Sequence, residues 1–250
     1  MKALQYIVLC VGVIVSLNLH AQNAIFLTEG KIEFEKRVNL YARLDESDSW
    51  SELQKKTMPK FRSTYFDLLF SKNRSVYQPG RENPDNTNTN MFFENSVASE
   101  NVVYTELDSA KSISQKKAFE EVFLFSDSTR HIDWKITDET RIIAGFQCRR
   151  ANAIIMDTIY VVAFYTDEIL APGGPESFNG LPGMILGVSL PHQHLTWFAT
   201  KVSAIDVSAA QLKAPTKGKK VTMKSIQDIL KERLKYWGKE KQQNLEALML

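Results

Sequence analysis

The chain has 250 residues, of which 44% are hydrophobic, and its 31 Lys plus Arg against 29 Asp plus Glu leave a formal charge of +2. That length can bury a sizeable core in one β-rich domain or two small ones. The near balance of charge argues against a general electrostatic attraction to nucleic acid.

The first 21 residues read as a leader. Lys2 is a short basic start, Ile7 to Leu17 an apolar run, and Ala21 the small residue before a cut ahead of Gln22. This order is that of a secretory signal peptide, and the run is shorter than the roughly 20 residues a spanning helix needs. The chain is therefore expected to be exported, to the periplasm or outer cell envelope of a Gram-negative-type bacterium, and not to span a membrane. Of the two cysteines only Cys148 would remain after cleavage. An internal disulfide is then unavailable and stability must come from packing. Within "GFQCRRANAII" Cys148 reads as a small buried residue.

From Gly30 onward period-two alternation dominates. In "GKIEFEKRVNLY" Ile32, Phe34, Val38 and Leu40 share a face that Lys36 interrupts, which predicts a half-exposed antiparallel strand. A short helix is predicted from Asp48 to Thr57, stopped by Pro59. "STYFDLLFS" and "RSVYQPG" read as a hairpin turning at Lys72-Asn73, followed by a polar loop from Arg81 to Asn90. Further strands are predicted in "NVVYTEL", "EEVFLFS", "HIDWKIT", "TRIIAG", "CRRANAIIM" and "TIYVVAFYT". The last is apolar on both faces, which predicts a central place in the sheet. A final hairpin is expected around Pro191, between a strand starting at Met184 and "HLTWFATKVSAI". At Lys213 the character changes: "KAPTKGKK" reads as a basic linker. Met223, Ile226, Leu230, Leu234 and Trp237 beyond it recur at helical spacing.

The expectation is a mainly β (α+β) fold: a curved antiparallel sheet or half-barrel, with a C-terminal amphipathic helix and a short helix near residue 50. The domain limits are 1–21 for the leader, 22–212 for the β domain, and 213–250 for the linker and a helix packed on that domain.

"ILAPGGPESFNGLPGMILG" carries turn signals at Pro172 to Pro175, Asn179-Gly180 and Pro182-Gly183. Proline presets φ for the second position of a turn, and glycine takes the positive φ that a type II turn needs at the third. Pro175, Gly180, Pro182 and Gly183 are thus predicted to be structural, with Leu181 to Met184 forming a tight turn into a buried strand. Gly187 within that strand points to a bulge or to close approach of another backbone. No Lys-Ser or Lys-Thr follows the glycines as a phosphate-binding loop requires, and Gly-x-Ser-x-Gly is absent from this stretch.

The block from Cys148 to Val188 resembles the GLPGLI family of exported bacterial proteins of unknown function. The resemblance rests on Cys148 and Ala151, on Phe164-Tyr165-Thr166 with Glu168-Ile169, and on Gly174-Pro175, Phe178 and Gly180 to Ile185. Trp134, Glu139 and Gly145 match the approach to the cysteine. Phe164 stands where the family has tryptophan, Asp167 and Leu170 where prolines are common, and Met184 where leucine gives the family its name. The resemblance implies secretion to the envelope and an antiparallel β fold. It supplies no reaction, no cofactor and no catalytic residue.

Few residues point to chemistry. If "PHQHL" is extended, His192 and His194 would face the same way and could share an ion. Asp167, Glu168 and Glu176 flank the Pro-Gly loop, where carboxylates either solvate or do acid–base work. The strand aromatics, from Phe92 to Trp197, read as core. The expected function is non-enzymatic binding or carriage of a hydrophobic ligand or an outer-membrane partner, with no cofactor. Phe164, Phe178, Leu181 and Leu186 are its candidate surface, in a groove between the sheet and the C-terminal helix. A metal-binding protein or metal-dependent hydrolase is the competing reading.

Overall fold

The computed structural model describes residues 26–44, 49–85, 98, 100–118, 120–233 and 245–250. The predicted leader, Phe92 and Phe93, Leu234 and Trp237 lie outside them.

Alternation sets the architecture. β1 (Gly30–Asn39) buries Ile32 and Phe34 and half-buries their outward neighbours, as its sequence demands. It is followed by a short helix, α1 (Ser49–Thr57), whose last turn is closed by the Tyr41 hydroxyl donating to the carbonyls of Lys55 and Met58. Then come β2 (Phe61–Phe70), β3 (Arg74–Pro79), β4 (Val102–Glu106), β5 (Lys111–Ala118) and β6 (Glu121–Ser128). The second run comprises β7 (Lys135–Ile143), β8 (Phe146–Ile155), β9 (Ile159–Thr166), β10 (Met184–Leu190) and β11 (Leu195–Ser203). A three-residue strand, β12 (Lys219–Val221), precedes the helix α2 (Met223–Arg233).

All of these strands form one open, curved sheet of order β12-β6-β5-β4-β3-β2-β1-β11-β10-β9-β8-β7. Each run is an antiparallel meander. They join where β11 pairs with β1, in a register that places Trp197 opposite Lys36 and Phe198 opposite Glu35. Among the strands of the described residues the one parallel pair is β12 on β6. β9 is central to its half, between β8 and β10, and buried along nearly its whole length.

The sequence reading missed two strands and divided another. β5, "KSISQKKA", is polar and carries no apolar face to signal a strand. β12 begins inside the predicted basic linker and ends one residue beyond it. "HIDWKIT" and "TRIIAG" are not two strands, since β7 runs unbroken from Lys135 to Ile143 and His131 to Trp134 precede it. α2 packs on the sheet through Ile226, which is fully buried with Phe123 and Phe125 of β6. Its start is fixed by a reciprocal cap, with the Thr222 hydroxyl accepting from the Ser225 amide and the Ser225 hydroxyl from the Thr222 amide. Among the described residues no helix is long and apolar enough to cross a membrane.

The turn into β10 is one residue tighter than a type II turn. The Gly183 amide donates to the Leu181 carbonyl at 2.8 Å, a γ-type closure whose centre suits the fixed φ of Pro182. Gly183 has φ 146°, and a side chain there would place its Cβ 2.1 Å from the Thr166 carbonyl oxygen. Gly187 sits at a register irregularity between β10 and β9, and what approaches it is the Phe198 ring rather than a backbone.

Candidate functional site: the inner face of the sheet

The sheet's inner face changes character along its width. On β1, β2, β3 and β11 it is built from Ile32, Phe34, Phe66, Leu68, Tyr77 and Trp197, all essentially buried. Strand pairing carries the same face onto β4 to β6, where Thr105, Ser112, Ser114 and Lys116 stand among Val103, Phe123 and Phe125. Polar side chains inside a curved sheet must be met by other polar groups or left at a cost of about 1–3 kcal/mol each. The structure supplies partners from two places.

The first is the Pro-Gly loop. Phe178 donates its amide to the Pro175 carbonyl at 3.1 Å, and Glu176 within that turn takes φ 51°. This conformation turns the Glu176 carboxylate inward, where its side chain is 1% exposed and lies 3.3 Å from Lys36 Nζ. Asn101 Nδ2 donates to its second oxygen at 2.8 Å. Lys36, which interrupts the apolar face of β1 in the sequence, sits over the rings of Trp197 and Phe66, at 5.2 and 5.7 Å from their centroids. Phe178 packs edge-on against Trp197, and Tyr77 stacks on Phe66 at 4.8 Å. Three buried polar atoms in this cluster have no partner among the described residues: Tyr77 Oη, Asn101 Oδ1 and Trp197 Nε1. Burial, and then the Glu176 charge, hold the Tyr77 hydroxyl well above the usual range, so it stays a neutral donor. The Trp197 indole N–H offsets this only slightly and does not reach bonding geometry with it.

The second source is the segment 245–250. Residues 245–249 form a helical turn laid against the inner face, with Leu248 0% and Leu250 3% exposed. Lys116 Nζ donates to the Leu248 carbonyl at 3.0 Å. The Arg130 guanidinium donates to the Met249 carbonyl, and the Ser177 hydroxyl to that of Leu250. Burial, opposed by the Glu176 charge, brings Lys116 down to about 8. On one side of the segment lies a cavity of about 350 Å³, lined by Ser112, Ser114, Phe125, Asn179 and Met249 among others. A smaller one of about 130 Å³ lies on the other, between Lys36, Arg43, Ala98 and Ala247.

The four residues read as a ligand surface, Phe164, Phe178, Leu181 and Leu186, are all buried in the main core. Phe178 packs on Trp197 of the inner-face cluster. Phe164 instead faces Phe198 and Arg141. Of the four turn residues, Pro175 accepts from the Phe178 amide, Gly180 and Gly183 take φ 89° and 146°, and Pro182 lies at the centre of the Leu181–Gly183 closure. The histidine pair does not form the predicted arrangement. Pro191–Gln193 is a turn of 3-10 helix and His194 is left-handed at φ 53°, so the two-residue alternation that would align the imidazoles is absent. Both are exposed, and no group of three or more His, Cys, Asp or Glu suited to a metal occurs among the described residues. Cys148 is buried, and its thiol is pushed up to about 12 by burial and by Glu168. Such a thiol is a poor nucleophile. Of the loop carboxylates, Glu176 is drawn into the site, whereas Glu168 accepts from the Gln147 amide near Cys148.

Sequence reasoning missed Tyr77, Asn101, Lys116, Arg130 and Ser177 as members of one site. The only available signal was β5 itself, where Ser112, Ser114 and Lys116 alternate with Ile113 and Gln115 and so share a face at period two.

A family model described as "Protein of unknown function (Porph_ging)" matches residues 153–187, which run from β8 through the Pro-Gly loop into β10. No curated protein matches. Among solved structures, PNGF-II in two crystal forms, C2 and P21, is similar at TM-scores of 0.53 and 0.52 with 14% identity. The likeness covers 80% and 81% of this chain but 32% and 33% of those chains, so this chain spans about a third of their length. An uncharacterized conserved protein from Thermus thermophilus gives a TM-score of 0.39 at 4% identity, over 80% of this chain and 95% of its own. At such identities the likeness to PNGF-II concerns the fold, a large curved β-sheet, and not an activity.

Proposed function

We propose that this chain is an exported, non-enzymatic envelope protein of the GLPGLI type that holds a hydrophobic ligand in the trough on the inner face of its sheet. The observation that carries the reading is the trough itself. A cavity of about 350 Å³ lies over a face where apolar and polar groups meet, and Met249 and Leu250 reach into its edge. Small-molecule sites are commonly about 300–1,000 Å³ and combine apolar walls with a few fixed polar groups. Phe125, Met249 and Leu250 are such walls, and Ser114, Lys116, Arg130 and Ser177 are such groups. The leader-like first 21 residues support export, and the match over residues 153–187 is consistent with the family resemblance read from the same block.

A fluorescent fatty-acid probe titrated into the purified protein tests this reading. Saturable binding that Ser114→Trp weakens by filling the cavity, with circular dichroism unchanged, is the expected result. Binding unaffected by that substitution would place the probe elsewhere and remove the trough from the function.

A further inference from the structure

The segment 245–250 is bound in a way that describes the trough's ligand. Its two innermost side chains, Leu248 and Leu250, are buried on apolar surface. Leu248 packs with Phe123, Phe125 and Ile226, and Leu250 with the main core that holds Trp197 and Phe178. Its polar contacts run chiefly through the main chain. Three donors from three parts of the fold, Lys116 on β5, Arg130 after β6 and Ser177 in the Pro-Gly loop, meet the successive carbonyls of residues 248, 249 and 250. These are the carbonyls that the end of a helical turn leaves unsatisfied, and two of the three donors are cations, the sign favoured at that end. A fatty acid's carboxylate accepts several hydrogen bonds, but at a single point at one end of an apolar chain. A row of donors at main-chain spacing matches a polypeptide.

We infer that the trough is a peptide-binding site which takes an apolar helical turn by its last carbonyls, and that segment 245–250 occupies it as an intramolecular stand-in. This rests on the trough reading above and narrows its ligand from a hydrophobic compound to a leucine-rich peptide. Because the donors contact main chain, side-chain preference is confined to the positions that Leu245, Leu248 and Leu250 fill. The segment then sets a threshold: an incoming peptide must displace it.

The test uses the full chain and a labelled peptide of sequence LEALML, the sequence of residues 245–250. Leu248→Asp puts a charge where the side chain is 0% exposed and should expel the segment. Leu248→Asp should bind the peptide saturably and at least about ten-fold tighter than the unaltered chain, the removal of an internal competitor. Adding Lys116→Met should abolish that gain. Equal binding to both chains would put the peptide elsewhere and overturn the inference. A fatty-acid probe that binds Leu248→Asp where the peptide does not would overturn the peptide but keep the trough. Binding of neither, with the fold intact, would remove both. The unaltered chain provides a measurement that does not depend on any variant folding. Excess unlabelled peptide should speed hydrogen exchange of the Leu250 amide, which donates to the Glu246 carbonyl at 3.0 Å. An unchanged rate at saturating peptide counts against displacement and overturns the proposal.

Discussion

The two halves of the sheet solve the problem of an inner face differently. In the half containing β9 and β10 nearly every position of these two strands is apolar and buried, and strand packs against strand and loop with little need of polar partners. In the half containing β4, β5 and β6 the same face presents Thr105, Ser112, Ser114 and Lys116 beside Val103, Phe123 and Phe125, and is completed by a loop carboxylate and the segment 245–250. The first half is closed by its own sequence. The second is closed by groups brought from elsewhere in the chain, and a face closed that way can be reopened.

The largest expected effect comes from breaking the polar closure. Glu176→Ala would leave Lys36, whose side chain is 16% exposed, and Asn101 without their shared carboxylate. Removing one partner of a buried pair costs about 3–5 kcal/mol, whereas replacing both by apolar residues is often nearly neutral. Urea melts should therefore show Glu176→Ala strongly destabilised, and Lys36→Met with Glu176→Leu close to the unaltered chain. A destabilisation below about 1 kcal/mol for Glu176→Ala, the range of surface pairs, would mean the pair is solvated and the trough open to water.

Next in size is a break in the apolar half. Gly183→Val forces a β-branched residue to φ 146° with its Cβ against the Thr166 carbonyl. The backbone strain alone is about 1–3 kcal/mol, and His192→Ala at an exposed turn should stay within about 0.5 kcal/mol. Thermal midpoints of the two variants measure the difference. Equal midpoints would show that the loop yields, and that the glycine is not architectural.

The contrast also explains what the sequence made legible. Alternation of large apolar residues marks a strand whose inner face is core, so β1, β2, β6, β9 and β11 could be read directly. β5 inverts the pattern, with Ser and Lys inward, and no local rule separates an inward polar row from an outward one until the fold says which side is covered. The same limit hid the site. Lys36 looked like a flaw in an apolar face, and only the fold shows Glu176 waiting 140 residues away in sequence. Glu176 stands in sequence as one of three loop carboxylates with Asp167 and Glu168, and its inward turn depends on a left-handed backbone at a non-glycine residue, which sequence does not announce. Gly183 was legible because Pro-Gly before an apolar run has a steric meaning of its own. The histidines misled because alternation was assumed across Pro191, where the chain turns as a 3-10 helix.

The smallest effect is also the one that measures the polar half most directly. Lys116 is brought from the usual 10.5 to about 8, first by burial, with Glu176 opposing and Arg130 and Lys36 assisting. Below about pH 8 the amine is protonated in both folded and unfolded chains, and contributes no pH dependence. Between about 8 and 10.5 the unfolded chain keeps a proton that the folded chain has released. Unfolding then takes up a proton, so stability rises with pH across that window and levels off above it. The neutral amine can still donate to the Leu248 carbonyl, so the segment is not released as the charge is lost. Subtracting the curve of Lys116→Met removes the other titrating groups to a first approximation. The difference, unaltered minus variant, should climb from about pH 8 towards 10.5. A flat difference would mean that water reaches the amine, and that the β4–β6 half is an open polar surface and not a filled trough.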